Sequence, residues 1–134
     1  MKKLENYVSH LRVLERANGK DLNDEFIIDG ILNKFFLQFE LGWKVLKEFL
    51  LYEGCSAAAS GSARTIIKEA YAVYPFFNGD IWLQMLKDRN DTTHIYDKDL
   101  SIKMVDRILK EYIPEFQKLE KELKTCYSDI LDTL

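Results

Sequence analysis

Residues 22–52 carry the feature that most narrows the fold. Ile28, Leu32, Phe35, Phe39, Gly42, Leu46 and Phe49 follow one another at steps of four and three. That is the spacing of one face of a long helix, and of the seam of a helical bundle. Phe36 and Trp43 widen the apolar face, so the helix is expected to be covered on two sides. Gly42 lies in the seam, where glycine costs ~1 kcal/mol relative to alanine; its presence implies that another helix passes close by. Glu40 and Lys44 are four apart and set to pair along the helix surface.

The rest of the chain repeats the pattern. Leu4, Tyr7, Val8, Leu11, Leu14 and Ala17 predict a first helix over residues 3–17, ended by Asn18-Gly19. His10 lies beside this stripe and reads as a surface histidine. Glu53-Gly54 closes the long helix, and residues 55–61 are small and polar, as in a loop. A third helix opens at Ser62 and stops at Tyr74-Pro75, because proline disfavours helix in the residue before it. Asn78-Gly79-Asp80 begins a fourth. From Asp97 or Lys98 onward, Val105, Leu109, Tyr112, Phe116, Leu119, Leu123, Cys126 and Ile130 again step by four and three. Pro114 falls inside this second seam and predicts a kink or a restart. With no strand pattern and no repeat, the expectation is all-α: an up-and-down four-helix bundle plus a short extra helix, as one domain over residues 1–134. The surplus apolar area of the long helix points to a homodimer.

Composition excludes some functions. No apolar run approaches the ~18 residues of a membrane span. The beginning, Met-Lys-Lys-Leu-Glu-Asn, lacks the apolar core of a signal peptide, which makes the cytoplasm the expected location. Net charge is −3, which argues against a broadly basic nucleic-acid coat. Cys55 and Cys126 have no metal-ligand spacing and read as reduced, small apolar residues. There is no glycine-rich phosphate loop and no metal-ligand cluster, so no cofactor is expected.

The chemistry-bearing stretch is Arg89-Asn90-Asp91-Thr92-Thr93-His94-Ile95-Tyr96. Trp82, Met85, Leu86 and Arg89 share one helix face, so Arg89 continues an apolar stripe inward and its guanidinium must find acceptors. Asp91-Thr92-Thr93 has poor helix propensity, and Asp97 suits the N-cap of the next helix. The motif is therefore expected to straddle a helix end and a tight corner, with Arg89 on the outgoing helix and His94 in the turn. On the residues alone, Arg89, Asn90 and His94 read first as a structural network tying two helices together, ahead of a catalytic set. Tyr96 reads as a half-buried tyrosine, and Lys87 and Lys98 as flanking surface lysines.

Phe39-Glu40-Leu41-Gly42-Trp43-Lys44, Glu53-Gly54, the run from Trp82 to Asn90, and Thr93-His94-Ile95-Tyr96-Asp97 occur in an order and spacing that resemble the nucleotidyltransferase substrate-binding proteins, the HepT-like branch of the HEPN superfamily. The resemblance covers roughly residues 4–120. Ala63, where proline often opens the third helix, and Tyr74-Pro75-Phe76-Phe77, in place of a more polar turn, depart from the pattern outside the motif. The resemblance implies a bundle that dimerises with two motifs facing each other, and an adjacently encoded minimal nucleotidyltransferase as partner. In toxin–antitoxin members it implies a metal-independent ribonuclease neutralised by that partner, in some pairs by AMP transfer to the motif tyrosine, here Tyr96. In other members it implies only a substrate- or nucleotide-binding subunit.

Under the ribonuclease reading, an RNA 2′-hydroxyl attacks the adjacent phosphorus and leaves a 2′,3′-cyclic phosphate. Histidine suits the acid and base roles near neutral pH, and arginine suits the phosphorane oxygens. The candidate catalytic residues are thus Arg89, Asn90 and His94, with Tyr96 the AMP acceptor and Lys87 and Lys98 the substrate-binding lysines.

Overall fold

The computed structural model describes residues 1–91 and 93–131, with His94 and Ile95 described in their backbone only. Among these residues all regular structure is helical. Helix α1 spans Lys2–Glu15, α2 Glu25–Tyr52, α3 Ala63–Val73, α4 Gly79–Asn90, α5 Thr93–Tyr96, α6 Lys98–Arg107 and α7 Ile113–Cys126. A short 3₁₀ turn, Ser56–Ser60, precedes α3, and a π-helical segment, Ile108–Tyr112, joins α6 to α7. The helix ends follow local chemistry. Asp24, Ser62, Asn78 and Asp97 each cap a helix by accepting a backbone N–H on the side-chain oxygen. Gly19 and Gly54 take the left-handed conformation beyond α1 and α2 (φ 83° and 85°).

Helix α2 is the hub, packing against α1, α3, α4 and α6, while α1 also packs on α7 and α3 on α4. All seven of its predicted seam residues are buried, and Phe36 and Trp43 are half-buried. At Gly42 the close approach expected from the sequence is made by α4. A Cβ on Gly42 would sit 2.8 Å from Trp82 Cη2 and 3.3 Å from Tyr7 Cε2. Trp82 is fully buried, with Phe39, Phe77 and Phe116 at ring-centroid distances of 5.9, 5.5 and 5.5 Å. Aromatic groups at such separations add to plain area burial.

A buried polar chain ties α1 to α2 and α7. Tyr7 donates its hydroxyl to the Phe116 carbonyl at 2.7 Å, and Gln38 donates its amide to the Tyr7 carbonyl at 3.0 Å. The Gln38 amide oxygen must then accept from His10 Nδ1, 2.7 Å away. His10 is therefore not the plain surface histidine that its place beside the stripe suggested. Its proton is fixed on Nδ1, and Nε2 is buried without a partner among the described residues. Burial pushes the Tyr7 phenol well above its ordinary value and draws the His10 imidazole down.

The second seam departs from the predicted spacing. Ile108, not Leu109, is fully buried, and Tyr112 and Phe116 resume the stripe. The π segment supplies the extra residue: the Ile113 N–H donates to the Ile108 carbonyl, one residue further back than in an α-helix. Cys126 is exposed rather than part of the seam, and both cysteines are free.

Candidate functional site

The last turn of α4 carries Lys87, Asp88, Arg89 and Asn90. The stripe Trp82, Met85, Leu86 is buried, and Arg89 follows it against α2. The guanidinium pairs with Glu40 and lies over the Phe39 ring, 5.3 Å from its centroid. Glu40 also accepts from Trp43 Nε1 at 3.1 Å. Glu40 thus faces α4 instead of pairing with Lys44, which sits over the Trp43 ring at 5.8 Å. The Arg89 and Glu40 side chains remain 30 % and 29 % exposed, so one edge of the pair is open to solvent.

Asp88 points the other way and fastens α4 to the α6–α7 junction. Arg107 donates to it twice, Nε to Oδ2 at 3.1 Å and Nη2 to Oδ1 at 3.2 Å, and Tyr112 donates its hydroxyl to Oδ2. Burial first, and the Asp88 carboxylate next, push the Tyr112 phenol up. Two-point guanidinium–carboxylate pairing fixes orientation as well as distance. Asp88 and Glu40 therefore clamp the turn bearing Arg89 from both sides. The sequence reading picked out neither acid as a site residue. Glu40 and Asp88 both belong to stretches that carry the family resemblance, but nothing local pairs Asp88 with Arg107, 19 residues away.

Beyond Asn90 the helix breaks. Asp91 turns out of helical geometry (ψ 113°), and its carboxylate accepts from the Thr93 N–H at 3.0 Å and the Thr93 hydroxyl at 2.7 Å. Helix α5 follows, then Asp97 caps α6 through the N–H groups of Asp99 and Leu100. This is the corner expected from the weak helix formers, with Arg89 on the outgoing helix. His94 lies within α5 rather than in an open turn, and its side chain is outside the described residues.

Tyr96 is not half-buried: it is 89 % exposed. It lines a depression of about 240 Å³ with Glu25, Ile28, Asp29, Lys98 and Ser101. Lys98 and Tyr96 are thereby brought together, whereas Lys87 and Asn90 are exposed on α4. Because the helix breaks at Asp91, Arg89 and Tyr96 do not share a face. Arg89 meets α2 at Glu40 and Tyr96 near Asp29, roughly 16 Å apart along the helix axis at 1.5 Å per residue. Among the described residues no group of three or more His, Cys, Asp or Glu is placed to hold a metal ion, and no helix is long and apolar enough to cross a membrane.

These features define a class first: a helical bundle presenting a clamped arginine and a bare tyrosine on either side of one helix break. Residues 2–125 match the family described as nucleotidyltransferase substrate binding protein like, and the chain belongs to that family. No curated protein is significantly similar to the chain.

Proposed function

We propose that this chain is a HepT-like member of the HEPN superfamily, a cytoplasmic subunit of a two-component toxin–antitoxin system whose partner is a minimal nucleotidyltransferase. In this reading the partner transfers AMP to Tyr96 and so neutralises a metal-independent ribonuclease. The observation that carries it is the 89 % exposure of Tyr96. An acceptor phenol must reach the active site of another protein, and a tyrosine buried in its own core does not. In the transfer the Tyr96 oxygen attacks the α-phosphorus of ATP. The bond to the bridging oxygen of the β-phosphate breaks, pyrophosphate leaves, and the phenol proton passes to a base of the transferase. Lys98 shares the depression with Tyr96 and suits the incoming phosphate; Lys87 suits an RNA phosphate on the α4 side.

The ribonuclease part uses Arg89, Asn90 and His94 from two protomers of a homodimer, each an up-and-down four-helix bundle forming one domain over residues 1–134. A single chain supplies one histidine to this neighbourhood, and acid and base roles call for two. The clamp on Arg89 by Glu40 and Phe39 holds the guanidinium in place for a phosphorane. That same engagement favours a second reading, in which Arg89 is structural and the chain is a non-catalytic nucleotide- or substrate-binding subunit. Inducible expression separates the two. Growth arrest that Arg89→Ala and His94→Ala both abolish supports the enzyme, and a harmless parent supports the binding subunit. Incubation with the partner and ATP tests the acceptor: one AMP of added mass on the parent and none on Tyr96→Phe is expected, and an AMP on Tyr96→Phe refutes the assignment.

A further inference from the structure

The two flanks of the first turns of α2 carry opposite charge. Glu25 and Asp29 face the Tyr96 depression. The other flank, toward the end of α1, is an apolar groove of about 230 Å³ floored by Val13, Leu14, Ala17, Ile27, Gly30 and Ile31. Its rim carries Arg16, Lys20 and Lys34, all exposed and none with an ion-pair partner among the described residues. Phe26 stands at its lip, 85 % exposed. No carboxylate lines the groove, in a chain whose net charge is −3.

We infer that this groove docks an acidic amphipathic segment of a protein partner, apolar side chains entering the groove and carboxylates meeting Arg16, Lys20 and Lys34. The inference goes beyond the transfer and cleavage chemistry above and concerns a different surface. Three considerations select the occupant. The volume lies below the ~300–1,000 Å³ of small-molecule sites and suits anchoring side chains. A second copy of this chain bound about a twofold axis would set the cationic rim against itself, since such an interface uses the same patch on both subunits. Single-stranded nucleic acid binds along successive aromatic platforms, whereas this floor is aliphatic and Phe26 its one ring.

Gly30 makes the test clean. A Cβ there meets nothing within 4 Å, so Gly30→Leu starts its side chain in open space and directs it into the groove. The probe is a fluorescent synthetic helical peptide with Leu and Phe along one face and Glu on its flanks, titrated with the full chain by anisotropy. The expected result is saturable binding, weakened at least ~10-fold by Gly30→Leu and by Lys34→Glu, and lost when the peptide's Glu residues are replaced by Lys. A melting curve checks that Gly30→Leu is folded; Phe26→Ala, at an exposed position, gives the same reading should it not be. Absence of binding, unchanged affinity in Gly30→Leu and Phe26→Ala, equal affinity for the lysine peptide, or preferential binding of a single-stranded oligonucleotide overturns the inference.

Discussion

Gly42→Ala tests whether α4 is positioned by the wedge of Trp82 into α2. On propensity alone the change stabilises, since alanine is better than glycine in a helix interior by about 0.5–1 kcal/mol. The structure reverses the sign. The new methyl would lie 2.8 Å from Trp82 Cη2, 3.1 Å from Trp82 Cζ3 and 3.3 Å from Tyr7 Cε2. These are edges of rigid, fully buried rings, not the loose end of a flexible side chain. Overpacking of this kind costs about 1–3 kcal/mol, leaving a net loss of up to roughly 2.5 kcal/mol and about 1 kcal/mol at mid-range. With an unfolding entropy of about 2 cal/mol/K per residue, each kcal/mol lowers Tm by roughly 3–4 °C in a chain of this length. Calorimetry should therefore show Gly42→Ala melting a few degrees below the parent. In a Trp82→Phe background the offending ring edge is gone, and the penalty should shrink or change sign, a coupling that a double-mutant cycle reads directly. A Gly42→Ala protein that melts above the parent, or a penalty unchanged in Trp82→Phe, refutes the wedge.

Tyr96→Phe should leave Tm unchanged, because the side chain is exposed, while removing the proposed AMP acceptor; thermal melts and mass spectrometry check the two halves. Tyr112→Phe removes a partly buried hydrogen bond to Asp88 and should cost about 1–2 kcal/mol by denaturant titration. It should also reduce any growth arrest by loosening the turn that carries Arg89. For His10, burial draws the folded-state value below the unfolded one near 6.5. The folded protein then binds this proton more weakly, so the contribution is present above about pH 6.5 and is lost as pH falls through the folded value. Stability should drop from pH 7 toward 5, and the part due to His10 should disappear in His10→Gln. The raised Glu115 carboxyl, elevated by burial, acts with the opposite sign at lower pH.

What the sequence made legible follows the range of the interaction. Period and caps are local, and so the long seam of α2, the glycine approach at Gly42, the stops at Gly54 and Tyr74-Pro75, and the caps at Asn78 and Asp97 all read directly, whereas α1 ends at Glu15, short of the expected stop at Asn18-Gly19. Partners across the fold did not. Glu40 was matched to Lys44 because the two share a helix surface. The structure matches it to Arg89, 49 residues away, where a half-buried guanidinium needs an acceptor more than an exposed lysine does. His10 looked like surface because periodicity places a residue on a face but does not say that Gln38 is buried opposite it. Tyr96 reads as half-buried because a tyrosine usually rests its ring on the core and wets only its hydroxyl; beyond the break at Asp91 the ring instead stands in solvent.

The π segment raises the question of what holds it: Pro114 or the core. Pro114 has no N–H to return to Lys110, and its ring would crowd that carbonyl in a regular helix. Yet burial pins both ends and both flanks: Met104 and Val105 before the segment, Ile108 and Tyr112 at its two ends, and Ile113 and Phe116 after it. Removing one residue from the register would rotate one flank by ~100°. Tyr112 would then swing off Asp88 and off the Phe35 ring, on which it stacks at 5.2 Å. Losing that set of buried contacts costs several times the ~1 kcal/mol of a regained helical hydrogen bond. The core therefore fixes the register and the proline merely tolerates it. Pro114→Ala should keep the segment, and Tyr112→Phe should cost as much in that background as in the parent. If instead the cost of Tyr112→Phe vanishes once Pro114 is replaced, the helix has relaxed to α, and the proline, not the packing, is what aims Tyr112 at Asp88.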